Sequence, residues 1–279
     1  EAKLKVTKIP EITGLLVLHC MDLIESMEAT VAAIEMEPSA VELIGSMILR
    51  QAKSNLAYSR MTSFIEGDPE ALLVVEFTGN SLKEIESKLD KVDSEMQKQG
   101  LTYAVTRLTE PSDQENVWAV RKAGLGLMMN VPGAARPLPF VEDTAVAPEK
   151  LPEFVRRFDQ IVKEHDTSAG YYGHASVGCL HIRPLVDLKT EDGVRRMESI
   201  ASSICDLVLE FNGSMSGEHG DGLARSTWNK KMFGPKLYDA FRRIKYAFDP
   251  KGIMNPGKIV DAPSMTENLR IDPSYKPAD

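Results

Sequence analysis

Residues 171–184 read Y-Y-G-H-A-S-V-G-C-L-H-I-R-P, a run of small, aromatic and β-branched residues that holds His174 and His181. Successive side chains of a flat strand alternate faces, so an odd separation of seven sends the two imidazoles to opposite sides of a sheet. A helix would align them, but Gly173, Val177, Gly178 and Ile182 oppose one. The remaining solution is a reversal or bulge at residues 176–178, where glycine tolerates the backbone angles required. The stretch is therefore expected to fold back on itself and return both rings to one face.

A second segment, S-G-E-H-G-D-G at residues 216–222, adds a carboxylate and a third imidazole on a backbone with three glycines. A catalytic metal site needs three protein ligands and an open position, and His174, His181 and Glu218 satisfy that with nitrogen and hard oxygen donors. The alternative is that each histidine is a hydrogen-bonded, half-buried residue and the clustering is chance. Cys179 could also ligate, but the structural reading is favoured for it. His219 directly follows Glu218, so both reach one ion only if the loop turns sharply; otherwise the imidazole is released for proton transfer. Asp221 orients His219 or accepts bonds from loop amides, and the second is favoured. Arg121, Arg136 and Arg183 are each either a bidentate carboxylate holder or a solvated charge.

Composition narrows the partners. Against 33 basic residues stand 41 acidic ones, a formal net charge of -8, which argues against nucleic acid or an anionic membrane surface. Cys20, Cys179 and Cys205 are few, odd in number and far apart, which fits a reducing cytoplasm rather than a disulfide framework. The apolar run at residues 12–21 is too short to span a bilayer and reads as a buried strand. The chain starts at Glu1 without a leader, so it is expected to be a piece of something longer.

In chain order, residues 12–19 predict a strand and residues 26–33 a helix that stops before Pro38. Ser39 reads as the cap of a helix running to about Leu56, with Glu42 completing a capping box. Residues 71–77 predict a central strand, and Ser81 caps a helix to Gln99 that Gly100 ends. Residues 101–108 predict a strand, followed by a helix from Pro111 that frays at residues 124–126. Residues 130–139 predict an irregular loop, residues 140–147 a strand and residues 149–165 an amphipathic helix. A helix spans residues 190–212 and another 235–248, and the last residues lack periodicity. Irregular alternation of strands and helices favours an α+β fold, an antiparallel sheet covered by helices.

Taken together, G-H-A-S-V-G-C-L-H at 173–181, S-G-E-H-G-D-G at 216–222 and F-D-P-K-G-I-M-N-P-G-K at 248–258 resemble the C-terminal domain of FAD-linked oxidases of the vanillyl-alcohol-oxidase type. That family includes D-lactate and D-2-hydroxyglutarate dehydrogenases and the glycolate oxidase flavin subunit. The resemblance implies a ferredoxin-like cap domain over residues 1–260, with His174, His181 and Glu218 as ligands of a divalent metal, zinc by preference. It makes His219 the base and Arg121, in V-W-A-V-R, the clamp on the substrate carboxylate. It also makes Asn255 and Lys258, in N-P-G-K, the segment that returns toward FAD. Residues 261–279, with M-T-E-N-L-R at 265–270, are similar to the linker of fused members that carry an iron–sulfur module. Neither G-x-G-x-x-G nor a cysteine cluster occurs within the chain, so FAD and the iron–sulfur cluster would be held by other modules of a parent chain. Two departures from the D-2-hydroxyglutarate dehydrogenase pattern stand at Val141 and Arg183, in place of a lysine and an asparagine.

The implied reaction is oxidation of a D-2-hydroxy acid, such as D-lactate, D-2-hydroxyglutarate or a glycolate-like acid, to the 2-oxo acid. Cysteine usage places the protein in the cytoplasm, and its electron acceptor would be what brings it to the periphery of a membrane. A metal-dependent hydrolase using the same His-His-Glu set is the rival, and a non-catalytic assembly domain the third reading.

Overall fold

The first long apolar run becomes strand β1 (Ile12–Cys20) in a computed structural model that describes residues 1–276. The chain divides into two compact units, Glu1–Leu125 and Gly126–Asp279. Both are mixed α/β with antiparallel strand pairing. The final three residues of the expected 261–279 linker lie outside the described residues.

In the first unit β1 lies between β3 (Ala71–Gly79) and β4 (Ala104–Leu108), and β2 (Ala40–Gly45) flanks β3. Helix α1 (Leu23–Ile34) connects β1 to β2, and α3 (Leu82–Gln99) connects β3 to β4. Every pairing is antiparallel, in the order β4-β1-β3-β2, which is the β-α-β-β-α-β ferredoxin-like arrangement. Leu15, Leu16, Val17 and Leu18 are all fully buried, as expected of a strand covered on both faces. Each such aliphatic side chain contributes about 1.5–3 kcal/mol by leaving water. Helix ends follow local chemistry. Asp22 accepts from the amides of Ile24 and Glu25 to open α1, Ser81 accepts from Glu84 N–H to open α3, and Gly100 closes α3 at φ 66°.

Two expectations in this unit are corrected. Residues 39–56 are not one helix but β2 followed by α2 (Ser46–Ser54). Val41, Leu43 and Ile44 satisfy either period, and the ladder from Ala40 opposite Glu76 to Gly45 opposite Ala71 decides it. Ser39 caps nothing: its hydroxyl contacts Thr78 Oγ1 at 2.8 Å and accepts from Thr78 N–H. Helix α4 (Pro111–Met128) does not fray at residues 124–126. Gly124 sits where a Cβ would approach Ile48 Cδ1 to 2.9 Å, so the glycine serves close packing.

The second unit is built on a hairpin of β7 (Ala169–His174) and β8 (Cys179–Val186). Two-residue strands β5 (Arg136–Pro137) and β6 (Thr144–Ala145) also pair with β8. Helices α5 (Leu151–Glu164) and α6 (Glu191–Glu210) bury Phe154, Phe158, Ile200 and Ile204. Short α7 (Gly222–Arg225) precedes α8 (Asn229–Phe248), which kinks at Gly234 and resumes at Pro235. The expected strand at residues 140–147 is corrected: only Thr144 and Ala145 pair, because Asp143 at φ 78° turns the chain out of extended geometry.

Candidate active site

The expected reversal is present. After His174 the backbone makes one 3₁₀ turn (Ala175–Val177), passes through Gly178 at φ 71°, and returns as β8. Directly opposed residues of an antiparallel pair share a face, as do residues two apart on one strand. Tyr172 opposes His181 and His174 opposes Cys179, so these four and Arg183 share one face of the hairpin. On the other face, Leu180 and Ile182 are fully buried and Tyr171 donates its hydroxyl to Asp159 of α5 at 2.8 Å. The His174 and His181 ring centroids are 5.2 Å apart.

The glycine-rich loop is brought to this face by a residue outside both motifs. The Asp143 carboxylate accepts from the consecutive amides of Glu218 at 3.0 Å and His219 at 2.9 Å, and from Ser216 Oγ at 2.7 Å. Cys179 Sγ donates to it at 3.3 Å, and Gly217 N–H donates to its carbonyl. Burial raises the Asp143 pKa, but the His219 amide, the Ser216 hydroxyl and the Glu218 amide outweigh it, and the carboxyl titrates below its ordinary value. One buried anion thus folds the loop sharply enough to direct two neighbouring side chains into one region.

Donor atoms of His174, His181 and Glu218 lie within 4.8 Å of one another, and so do those of Glu142, His181 and His219 and those of Asp143, Glu218 and His219. His174 Nε2 is 3.6 Å from Glu218 Oε2. Imidazole nitrogens with a carboxylate oxygen are a donor set suited to a divalent cation such as zinc, and their convergence fits one. The loop turns sharply enough for Glu218 and His219 to share a donor group with Asp143, while His219 is absent from the group of His174, His181 and Glu218. The His219 ring stacks on His181, with centroids 5.0 Å apart and planes 4° from parallel.

The remaining candidates have other partners. Arg121, in the first unit, donates from Nε and Nη2 to Glu42 Oε2 at 3.0 and 2.7 Å. Arg136 donates to the carbonyls of Val131, Gly133 and Ala135 in its own loop. Arg183 pairs with Glu142. Lys258 Nζ donates to the Pro256 carbonyl at 3.3 Å, and Asn255 is exposed at φ 47°. Asp221 accepts from the Asn229 side-chain amide rather than from loop amides or His219. Cys179 is buried beside Asp143, in keeping with a structural role.

Sequence reasoning missed Glu142 and Asp143, which are 2% and 0% exposed, and the buried Arg225. Arg225 donates to the Glu142 carbonyl at 2.9 Å and to the Gly220 carbonyl at 2.6 Å, which ties the two loops together. The available signal was the acidic pair Glu142-Asp143 inside an otherwise apolar stretch.

Residues 9–259 match the family described as FAD linked oxidases, C-terminal domain. The D-2-hydroxyglutarate dehydrogenase of Haemophilus influenzae is 32% identical over 270 residues, covering 93% of this chain and 26% of that protein. The D-lactate dehydrogenase of Archaeoglobus fulgidus is 33% identical over 152 residues, covering 54% of this chain and 32% of that protein. Among solved structures, p-cresol methylhydroxylase with substrate bound superposes with a TM-score of 0.63 at 13% identity, over 90% of this chain and 53% of that one. This last likeness concerns the fold. The chain spans about a quarter of the length of the D-2-hydroxyglutarate dehydrogenases it matches, which is 26% for Haemophilus influenzae and 27% for Escherichia coli. The metal-dependent hydrolase reading finds no support in these relatives. With the match reaching across both units, this chain belongs to the FAD-linked oxidases as their C-terminal domain.

Proposed function

We propose that this chain forms the substrate-binding and catalytic part of a flavin-dependent dehydrogenase that oxidises a D-2-hydroxy acid to the 2-oxo acid. The observation that carries the reading is the convergence of His174, His181 and Glu218 with His219 on one face of the β7–β8 hairpin. In this proposal His174, His181 and Glu218 hold a divalent cation, zinc by donor type. When bound, such a cation supplies Lewis acidity to the hydroxyl and carboxylate oxygens of the substrate, and FAD supplies the hydride acceptor.

The chain's own residues then bind, orient and move a proton. His219, 45% exposed, accepts the hydroxyl proton. Arg183, two residues from His181 on the same face, keeps Nε on Glu142 and anchors the substrate carboxylate through the rest of its guanidinium. Arg136 joins the anchor only by exchanging its loop carbonyls for substrate, whereas Arg121 is held by Glu42 within the first unit. Asn255 and Lys258 lie in a surface loop and are assigned to the flavin-facing segment. FAD itself is assigned to a further module of a longer parent, and residues after 260 to a linker toward an iron–sulfur module. Among the described residues no helix is long and apolar enough to cross a membrane. Three buried free cysteines agree with a reducing compartment, and we place the parent in the cytoplasm, where its electron acceptor could bring it to a membrane surface.

The test is an anaerobic substrate screen on the full-length protein. D-lactate, D-2-hydroxyglutarate or glycolate should bleach bound flavin, and L-lactate and L-2-hydroxyglutarate should not. Flavin that stays oxidised with every 2-hydroxy acid would remove the reading.

A further inference from the structure

Glu142 belongs to neither histidine motif, yet its carboxylate lies among the histidines. The side chain is 3% exposed. Its Oε1 is 3.7 Å from His181 Nδ1 and 3.8 Å from His219 Nδ1, while Oε2 is engaged by Arg183 Nε. The two rings are parallel and stacked, so their Nδ1 edges face one oxygen from the same side. The backbone is fixed as well: the Glu142 carbonyl accepts from Arg225, and the next residue, Asp143, anchors the loop that carries His219.

We propose that Glu142 is the positioning residue of this site: its Oε1 selects the Nδ1–H tautomer of both His181 and His219, so that each ring turns its Nε2 lone pair away from Glu142. The inference rests on the metal reading of His174, His181 and Glu218. An imidazole that binds a cation through one nitrogen needs its other N–H held, and a carboxylate in that place fixes ring orientation and raises donor strength. The same geometry on His219 leaves Nε2 as the atom that receives a proton. Separations of 3.7 and 3.8 Å are longer than hydrogen bonds, so this role requires both rings to close on Oε1 when a ligand binds, as catalytic contacts do on ligand binding. Arg183 keeps the second oxygen occupied and restrains rotation of the carboxylate. Arg225 holds the backbone beneath it, so the position of Glu142 is set independently of the histidines.

The experiment is a Co²⁺ titration of the metal-free full-length protein, followed by cobalt d–d absorption and by circular dichroism to confirm folding. Glu142→Gln should weaken Co²⁺ binding by about 10–100-fold and alter the d–d bands, the usual range for loss of a ligand-orienting group. That variant strands the charge of Arg183, so Glu142→Gln/Arg183→Met is measured beside it and should bind Co²⁺ as weakly. Recovery of wild-type affinity in the double variant would show that Glu142 only neutralises Arg183, and the proposal falls. Unchanged affinity in a folded Glu142→Gln overturns it too, as does a wild-type protein that takes up no Co²⁺. Because the readout uses the metal alone, a protein that loses Co²⁺ affinity as predicted yet oxidises no hydroxy acid would sustain this role and refute the substrate assignment.

Discussion

The two units solve opposite problems with the same amino acids. In the first, β1 and β3 pair over nine residues each, from Ile12 opposite Gly79 to Cys20 opposite Ala71, and side chains interlock around the ladder. In the second, β5 and β6 are two residues long, and shape comes from backbone contacts and side-chain-to-backbone bonds in loops. Asp143, Asn212 and Asn255 there adopt positive φ, at 78°, 54° and 47°. A regular sheet satisfies its polar groups internally and leaves no donors for a ligand. The loops of the second unit gather buried carboxylates and imidazoles at the cost of regular pairing.

That contrast predicts different tolerance to one added methyl group. At Gly178 a Cβ would stand 1.8 Å from the Val146 carbonyl oxygen, on a residue already at φ 71°. Backbone on both sides must move, so Gly178→Ala should cost about 4 kcal/mol or more in denaturant unfolding. Truncating neighbouring side chains should not restore it. Removing the loop anchor comes next. Asp143→Ala strands the amides of Glu218 and His219 and the hydroxyl of Ser216, a loss of about 2–4 kcal/mol with weakened Co²⁺ binding. In the first unit, a Cβ at Gly14 would meet Ile85 Cγ2 at 2.2 Å, but that obstacle is a side chain. Gly14→Ala should cost about 1–3 kcal/mol, and Ile85→Ala in the same chain should return part of it. Equal costs at Gly178 and Gly14, or rescue at the former, would erase the distinction.

The same difference governs what could be read from the sequence. Local rules placed α3 at both ends, because Ser81 and Gly100 act within a few residues of themselves. The hairpin was legible because the odd spacing of His174 and His181 in β-forming residues admits few backbones. Local rules misread β2, since Val41, Leu43 and Ile44 fit two periods and only pairing with β3 separates them. They missed Asp143 for a related reason: a carboxylate that bonds amides 75 and 76 residues away carries no local signature. Residue types named the candidate donors, whereas the groups that hold them became visible only in three dimensions.

The smallest predicted effect lies in the first unit and concerns His19, a polar residue fully buried beside the ladder. The neutral ring is satisfied as it stands: Nδ1–H donates to the Ala104 carbonyl at 3.2 Å, and Nε2 accepts from Glu66 N–H at 3.0 Å. Protonation removes that acceptor and places a charge in the core. The Phe64 carbonyl, 3.1 Å from Nε2, and the Glu66 carboxylate offset only part of this. Burial is the largest influence, and the His19 pKa falls below its ordinary 6.5. Between the depressed folded value and 6.5 the unfolded chain therefore binds more protons than the folded one. Stability from this group is complete above 6.5 and is lost as pH falls through the folded pKa. The measurement is a difference, so that every other ionisable group cancels: denaturant midpoints from pH 7.5 to 5, wild type against His19→Gln. The wild type should lose more stability on acidification than the variant. Parallel curves would mean that the first unit accommodates a charged His19, and that burial in its ladder is less strict than the paired strands imply.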